Sequence, residues 1–210
     1  MSTEIVNPDL VRYMTNLLPE RDEVLKEMET FGAEHDFPLI GPLCGHFLQQ
    51  MALTSHAKNI FEMGSGFGYS AIWFASGIPE DGKIICTDGD PKNKERALQN
   101  FEKAGVSHKI EFHVGIAQEI LEKSKGPFDI ILNDIDKHEY PDIIDLAVSR
   151  LRKGGLFITD NVLWDGKVTA PPDDKYTDGI QKFNELIYSR KDLLTTIVPL
   201  RDGLAVSLKL

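Results

Sequence analysis

Oxygen-bearing side chains follow two apolar runs of the sequence, at the points where buried strands would end. Residues 128–132 form the first run, and Asp134 lies just beyond it. Residues 156–159 form the second run, which leads directly to Asp160 and Asn161. Strands that are close in sequence are usually neighbours in a sheet, and ligands bind where parallel strands end. The three side chains are therefore expected to converge on one site.

Two carboxylates and one amide oxygen, with no Cys or His in the motif, form a set of hard ligands. Such donors favour Mg²⁺ or Mn²⁺, and also Ca²⁺, over zinc, and they leave positions open for water and substrate. We therefore predict a divalent-metal site made of Asp134, Asp160 and Asn161. The alternative is an ordinary turn at Asp160 and Asn161 together with a helix cap at Asp134.

Lys137 follows Asp134 by three residues and would stand at the mouth of the same cleft. A lysine in such a place is usually a solvated surface charge. Beside a divalent cation, however, its ammonium form is destabilised, which suits a general base. Lys137 is therefore the candidate catalytic residue.

The stretch FEMGSGFGYS, residues 61–70, places three glycines between a predicted strand and a predicted helix. Glycines at Gly64, Gly66 and Gly68 allow a sharp turn and a close approach to a ligand, and the helix that follows offers free N–H groups. The G-x-G-x-G spacing differs from the G-x-G-x-x-G pattern that binds a pyrophosphate. A tight turn without any ligand is the alternative.

Two carboxylates indicate what the glycine loop would bind. Asp88 ends the next predicted strand, where it can accept both ribose hydroxyls of a nucleoside. Glu62 lies beside the loop, where it would oppose a phosphate and favour a cationic ligand. S-adenosylmethionine has a ribose, an ammonium and a sulfonium but no phosphate, so the loop suits this cofactor.

Strand-like apolar runs alternate with helical segments from residue 58 onwards. This alternation predicts an α/β fold in which helices cover both faces of a parallel sheet. The predicted strands are residues 59–63, 83–87, 110–114, 129–133 and 156–159, and the predicted helices are residues 69–76, 91–103, 118–123 and 141–152.

The two ends of the chain depart from this alternation. Residues 193–199 and 204–208 are strand-like and are joined by only four residues, so they must be antiparallel. Residues 1–57 carry mostly helical patterns, including a helix over residues 21–31 and another that begins near Cys44. No linker separates these parts, so we expect one domain over residues 1–210, with residues 1–57 as a helical cap on an α/β core.

Composition excludes several classes of protein. The formal net charge of −10 disfavours generic binding to nucleic acid. The sequence shows no secretory signal pattern and no run of about 20 apolar residues that would cross a bilayer. The only two cysteines, Cys44 and Cys86, are expected to be reduced and partly buried, although a disulfide is possible. We expect a cytoplasmic protein.

Four segments together resemble the cation-dependent O-methyltransferases. They are MGSGFGYSA, NDIDKHEY, GGLFITDNVLWDGKV and LRDGL. This family includes catechol O-methyltransferase, the plant caffeoyl-CoA O-methyltransferases and small bacterial relatives. The resemblance extends from about residue 37 to the C-terminus. It implies a Rossmann-like seven-stranded methyltransferase sheet that is mostly parallel and has a C-terminal antiparallel hairpin.

The resemblance also implies roles for individual residues. Asp134, Asp160 and Asn161 match the metal ligands, and Lys137 matches the catalytic lysine. The positions that match contacts of S-adenosylmethionine are Ile40 in the lid, Glu62, Gly64, Ser65 and Ser70 around the glycine loop, Asp88 at the ribose, Ala117 and Gln118 at the adenine, and Asp136 on the cofactor or substrate side.

Three positions and one segment depart from the family pattern. Asn133 replaces an apolar residue, Ile135 replaces Ala or His, and Arg201 stands in the hairpin turn where glycine is common. The N-terminal segment is shorter than that of the plant enzymes, where this region helps to bind acyl-CoA. This difference counts against a CoA-linked substrate, and the choice between a free and a CoA-linked substrate stays open.

The expected reaction is transfer of a methyl group from S-adenosylmethionine to one oxygen of a small catechol-type substrate. A phenol has a pKa of about 10, which chelation of two vicinal oxygens by Mg²⁺ would lower, and Lys137 would take the proton.

Two alternatives are methylation of a hydroxylated uridine in tRNA and a cofactor-binding module without activity. A local basic patch for tRNA would involve Lys58, Lys92, Lys94 and Arg96. We expect a homodimer.

Overall fold

The computed structural model describes residues 5–210, which form a seven-stranded sheet with helices on both faces. The strand order is β3-β2-β1-β4-β5-β7-β6. The strands are β1 (Asn59–Met63), β2 (Lys83–Asp88), β3 (Ile110–Val114), β4 (Phe128–Asn133), β5 (Leu151–Thr159), β6 (Leu193–Val198) and β7 (Leu204–Lys209). The helices are α1 (Pro8–Leu17), α2 (Glu23–Glu34), α3 (Gly41–Thr54), α4 (Tyr69–Gly77), α5 (Pro91–Lys103), α6 (Ala117–Lys123), α7 (Tyr140–Arg150) and α8 (Lys175–Ser189).

Successive strand residues point to opposite faces of the sheet and build two separate apolar cores. Ile60 packs with residues of α2, α3, α4 and α5, whereas its neighbour Phe61 packs with residues of α6, α7 and α8. This alternation follows from the pleat of a strand. Because helices cover both faces of the sheet, a polar site can form at the ends of the strands.

The sheet is parallel from β3 to β5 and antiparallel at its C-terminal end. β4 pairs in parallel with β5, so Asn133 lies beside Thr159 and the two acidic strand ends are adjacent. β7 pairs antiparallel with both β5 and β6. The predicted sheet and its antiparallel hairpin are confirmed.

The structure corrects several predicted boundaries. The helix predicted over residues 141–152 ends at Arg150, because β5 begins five residues earlier than predicted, at Leu151. The helix predicted over residues 21–31 is α2, which runs from Glu23 to Glu34 with Asp22 as its N-cap. Helix α8 was not predicted from the sequence. It connects β5 to β6.

Asp129 on β4 links β1 and β5 to its own strand, at the end of the sheet opposite the acidic strand ends. Its Oδ2 accepts hydrogen bonds from the backbone N–H groups of Lys58 and Asn59, both at 2.7 Å. Its Oδ1 accepts from Nε of Arg152 on β5 at 2.5 Å. Burial would raise the pKa of Asp129, but these donors outweigh it and lower the pKa below its usual value.

Cys44 and Cys86 are both free and fully buried. Burial raises the pKa of the Cys44 thiol to about 12. None of the helices between residues 5 and 210 combines the length and the apolar character that a bilayer crossing requires.

Candidate active site

The glycine loop turns directly against the end of β4. Gly64 has a φ of 82°, in the left-handed region, and the N–H groups of Gly64 and Ser65 donate to the carbonyl oxygen of Thr87 at 3.0 and 2.8 Å. A Cβ atom on Gly64 would collide with the carbonyl oxygen of Asp134. Glycine is therefore required here for its φ and for the close approach. The loop and Asp134 form one continuous surface.

Asp88 connects the glycine loop to the start of α5. Its Oδ2 accepts from the N–H of Gly66 at 2.9 Å. Its Oδ1 accepts from the N–H of Asp90 at 2.8 Å and from Nδ2 of Asn93 at 3.0 Å. Three donors therefore fix the orientation of this carboxylate at the carboxyl end of β2, on the wall of a cavity.

Glu62 is fully buried below the loop, not on the cavity wall. Its carboxylate accepts a hydrogen bond from the hydroxyl of Ser70, and Sγ of Cys86 lies 3.4 Å from its other oxygen. Burial raises the pKa of Glu62 to about 7, although the bonds from Ser70 and Cys86 oppose this rise. Of this group, Ser70 is the member that lines the cavity.

The ends of β1, β4 and β5 are joined by backbone hydrogen bonds that bring the acidic residues together. The N–H of Asp134 donates to the carbonyl of Met63 at 2.9 Å, and the N–H of Asp160 donates to the carbonyl of Asn133 at 3.1 Å. Asn161 has a φ of 59°, a left-handed conformation that asparagine adopts more readily than most residues. The predicted convergence at this edge therefore occurs.

Asp160 carries the least satisfied carboxylate of the site. Its side chain is 1% exposed, its Oδ2 pairs with Nη1 of Arg201 at 3.0 Å, and its Oδ1 has no hydrogen-bond partner among residues 5–210. Burial, and next the charge of Asp134, raise the pKa of Asp160 to about 7. Burial also raises the pKa of Asp134, and the nearby Lys137 opposes that effect.

These donors fit a divalent cation. An unpartnered buried carboxylate oxygen at Asp160 is an acceptor that a cation would satisfy. Nδ2 of Asn161 donates to Asp202 at 3.3 Å, and this bond leaves the amide oxygen free to serve as a ligand. Between residues 5 and 210 no three His, Cys, Asp or Glu side chains form a metal-binding group, so a cation here would need the amide of Asn161 as a third ligand.

Two cavities meet at the carboxyl ends of the parallel strands. The smaller, of about 220 Å³, lies over the glycine loop and is lined by Gly64, Ser65, Gly66, Ser70, Asp88 and Asp134 among others. The larger, of about 790 Å³, lies between α1, the start of α3 and the loops after β5 and β6. The residues that line both are Pro38, Ile40, Lys137, Asn161 and Arg201.

Besides Glu62, three of the predicted cofactor residues line neither cavity. Ala117 is buried at the start of α6, and Nε2 of Gln118 donates to Oε2 of Glu139 at 2.7 Å. Asp136 is exposed to solvent. Their assignment to the cofactor stays a prediction from the resemblance.

Two residues of the hairpin turn reach the site, and sequence reasoning did not assign them to it. Arg201 pairs with Asp160, and Asp202 holds both Asn161 and the backbone N–H of Asp165, the latter at 2.6 Å. The available signal was the unusual arginine in the turn LRDGL. Its position beside Asp160 depends on the placement of β7 next to β5.

A family model described as O-methyltransferase matches residues 17–210 of the chain. The chain belongs to this O-methyltransferase family. The match covers most of the chain, so the family predicted from the four sequence segments is confirmed.

Several relatives align with nearly the whole length of this O-methyltransferase. The "Catechol O-methyltransferase" of Niastella koreensis is 34% identical over 93% of this chain and 94% of its own length. The "Caffeoyl-CoA O-methyltransferase 1" of Arabidopsis thaliana is 33% identical over 94% of this chain and 83% of its own length. An O-methyltransferase from Bacillus cereus, solved in complex with SAH, superposes with a TM-score of 0.87 at 29% identity and covers 96% of this chain and 97% of its own.

Proposed function

We propose that this O-methyltransferase uses S-adenosylmethionine and a divalent cation to methylate one oxygen of a small, vicinal-dihydroxy aromatic substrate. The observation that carries the proposal is the junction of the two cavities. There Lys137 and Asn161 line both spaces, and the unpartnered oxygen of Asp160 lies at the same strand ends. A methyl donor in one cavity and an acceptor in the other would meet at these residues.

The smaller cavity suits S-adenosylmethionine. The carboxylate of Asp88 is held on the cavity wall, where ribose hydroxyls can bind it. Gly64 and Gly66 both have a left-handed φ, of 82° and 49°, which lets the loop turn sharply along the cavity wall. The Bacillus cereus relative binds SAH, which is the product that S-adenosylmethionine leaves after methyl transfer.

Asp134, Asp160 and Asn161 would hold the divalent cation, Mg²⁺ or Mn²⁺. When bound, the cation lowers the pKa of a phenol and orients two vicinal oxygens. The role of these residues would be to keep two carboxylates and one amide oxygen fixed at the strand ends beside the cavity junction. Asp202 contributes indirectly, since it orients the amide of Asn161.

Lys137 is the proposed general base. Its Nζ is held near the junction by a hydrogen bond to Oδ1 of Asp134 at 2.6 Å and by the carbonyl of Ile135 at 3.3 Å. In its neutral form Nζ takes the proton of the acceptor hydroxyl, the freed oxygen attacks the methyl carbon, and the carbon–sulfur bond breaks. The electron pair of that bond stays on sulfur, which becomes a neutral thioether.

Methylation of catechol tests the proposal. The protein is incubated with S-adenosylmethionine and catechol, either with Mg²⁺ or with EDTA, and the product is measured by mass spectrometry. We expect a monomethylated product that depends on Mg²⁺. Full activity in EDTA would contradict the metal requirement. Absence of product with catechol and with a panel of o-diphenols would favour a cofactor-binding module.

A tRNA substrate is the second candidate, but the basic residues do not support it. Lys58 precedes β1 at the edge of the sheet opposite the site and pairs with Asp81, whereas Lys92 and Lys94 lie at the start of α5, beyond the carboxyl end of β2. The guanidinium of Arg96 stacks on the ring of Phe31 at 3.6 Å. These four side chains do not form one continuous patch. Methylation of unmodified catechol in the absence of RNA would separate the two candidates.

The homodimer expected from the sequence is part of the proposal. Helix α1 carries three apolar side chains that are largely exposed: Leu10 at 55%, Tyr13 at 62% and Leu17 at 66%. A second copy of this chain would cover such a face. Light scattering of the purified protein gives the mass directly, and a monomeric mass would contradict this part of the proposal.

A further inference from the structure

Arg201 is a basic side chain held at the junction of the two cavities. It lies in the turn between β6 and β7 with a φ of 50°, a left-handed conformation that is unfavourable for a residue other than glycine. Its Nη1 donates to Oδ2 of Asp160 at 3.0 Å, and its side chain is 36% exposed. The carboxylate of Asp160 therefore fixes one side of the guanidinium.

The rest of the guanidinium is available for a ligand. An arginine has five N–H donors, and the bond to Asp160 is the only hydrogen bond that this side chain makes within residues 5–210. Arg201 also lines both cavities. Donors of a partly buried guanidinium that face a cavity form strong, charge-assisted bonds with an anion, and a carboxylate fits them in a bidentate geometry.

The other basic side chains of the larger cavity are less suited to this role. Nζ of Lys137 already donates hydrogen bonds to Asp134 and to the carbonyl of Ile135. Arg12 is 71% exposed and pairs with Asp9, which weakens its attraction for a ligand through solvent screening. Arg201 is therefore the cation with both partial burial and unused donors.

Asp160 is the carboxylate that pairs with Arg201, and the acids that line the larger cavity, Asp165 and Asp202, form no ion pair with it among residues 5–210. Both oxygens of Asp202 are occupied, one by Nδ2 of Asn161 and the other by the N–H of Asp165. The side chain of Asp165 is exposed to solvent. The remaining wall includes apolar residues suited to an aromatic ring and its substituents: Val6, Pro8, Val11, Met14 and Leu43.

We infer that Arg201 is a specificity-determining residue that binds a carboxylate substituent on the aromatic acceptor. The inference rests on the proposed function, because it takes the larger cavity as the acceptor site. It names the substrate class as a vicinal aromatic diol that carries a carboxylate. Asp160 acts as the positioning partner, since its second oxygen holds the guanidinium at the cavity junction.

The test compares two acceptors of nearly equal shape, 3,4-dihydroxybenzoate and its neutral amide 3,4-dihydroxybenzamide. We measure kcat/KM for both with the wild type and with Arg201→Met, in the presence of S-adenosylmethionine and Mg²⁺. Wild type is expected to prefer the acid by about 10- to 100-fold, the range of one or two charge-assisted hydrogen bonds. Arg201→Met should bring the ratio of the two values close to one.

The ratio is the decisive quantity because Arg201→Met also removes a partner of Asp160. Any general damage to the proposed metal ligands lowers kcat/KM for both acceptors by the same factor and therefore cancels in the ratio. Arg12→Met is the matched control: it removes the other arginine of the same cavity and should keep the wild-type ratio. A wild-type ratio near one, an unchanged ratio in Arg201→Met, or loss of the ratio in Arg12→Met alone would each overturn the inference.

Calorimetry separates a failure of this inference from a failure of the proposed function. SAH replaces S-adenosylmethionine, and the dissociation constants of the acid and the amide are measured without turnover. Tighter binding of the acid that is lost in Arg201→Met supports the inference even if neither acceptor is methylated, in which case the proposed function alone fails. Equal binding of both acceptors to the wild type contradicts the inference while leaving methylation of catechol unaffected.

Discussion

Nζ of Lys137 lies 2.6 Å from Oδ1 of Asp134, three residues earlier in the chain. Lys137 is the first residue of a short 3₁₀ turn, and its ammonium also lies 5.5 Å from the ring centre of Tyr140. A surface lysine would extend into water, whereas the side chain of Lys137 is only 16% exposed. Its position is therefore defined by the same carboxylate that we propose as a metal ligand.

Lys137→Ala should lower kcat by about 10²–10⁴-fold, the usual contribution of a general base. Lys137→Arg should not restore activity, because a guanidinium stays protonated at any working pH. Both variants are measured under saturating cofactor and catechol with Mg²⁺. Lys167→Ala, an exposed lysine over the ring of Trp164, is the control and should retain activity. Near-normal turnover in Lys137→Ala would end the general-base hypothesis.

Asp160→Asn should abolish binding of Mn²⁺, because it removes the charge of the buried carboxylate whose Oδ1 has no partner among the described residues. The cofactor should still bind, since Asp88 and the glycine loop are unchanged. Calorimetry with Mn²⁺ and separately with SAH gives both affinities without turnover. Asp173→Asn, an exposed acid before α8, should change neither. Wild-type affinity for Mn²⁺ in Asp160→Asn would remove this residue from the proposed ligand set.

Asp88→Ala should weaken cofactor binding by about 1–3 kcal/mol through the loss of charge-assisted hydrogen bonds to the ribose. Asp90→Ala is a demanding control two residues further on. Its carboxylate caps α5 by accepting from the N–H of Lys92 at 2.9 Å. Loss of this cap should lower stability by about 1 kcal/mol and leave cofactor affinity unchanged. Equal cofactor affinities in the two variants would refute the assignment of Asp88.

The raised pKa of Glu62 predicts that the stability of the fold depends on pH. Its folded-state pKa of about 7 exceeds its usual value of 4.5, so the folded protein binds its proton more tightly than the unfolded chain does. The stabilisation is present below pH 4.5 and is lost as the pH rises through about 7, with a total on the order of 3 kcal/mol. Asp160 contributes in the same direction. The ligand-free protein should therefore unfold more easily at pH 8 than at pH 5.

Glu62→Gln isolates this contribution. The variant should match the wild type at pH 4.5 and exceed its free energy of unfolding at pH 8, because no charge is then buried. Denaturant unfolding across this pH range measures the difference. Glu122→Gln, an exposed position on α6, is the control for loss of a surface charge. A constant difference between Glu62→Gln and wild type at all pH values would show that the carboxyl group does not titrate in this range.

The central strands were predictable from the sequence because they are short apolar runs bounded by glycine or acidic residues. Residues 59–63 and 110–114 were predicted with the observed bounds. The start of β5 was missed because Leu151 and Arg152 were predicted as the end of the preceding helix. In the fold Leu151 pairs with Phe128, and Arg152 reaches Asp129. These long-range partners stabilise strand residues that local propensity does not favour.

Helix α8 was missed for a different reason. Gly179 lies in its interior, where glycine weakens a helix, yet the backbone of Lys137 and His138 packs so closely there that a larger residue would clash. Its N-cap Asp174 and its buried Ile180, Phe183 and Ile187 were the signals present in the sequence. Tertiary packing decides this helix, and packing partners distant in sequence cannot be read from one local pattern.

The site was predictable where its residues follow strand ends and was not predictable at the hairpin turn. Asp134, Asp160 and Asn161 immediately follow β4 and β5, so parallel pairing alone brings them together. Arg201 comes close to Asp160 only because β7 lies between β5 and β6. That strand order cannot be deduced from the length of the hairpin connection.

The insertion of β7 between β5 and β6 also sets an order of events during protein synthesis. Among residues 5–210, β6 is an edge strand that pairs only with β7, so it stays unpaired until β7 has left the ribosome. Helices α1 to α8 and strands β1 to β5 leave the ribosome before that point, because synthesis proceeds from the N-terminus. The nascent protein would then already hold Asp160 but not its partner Arg201.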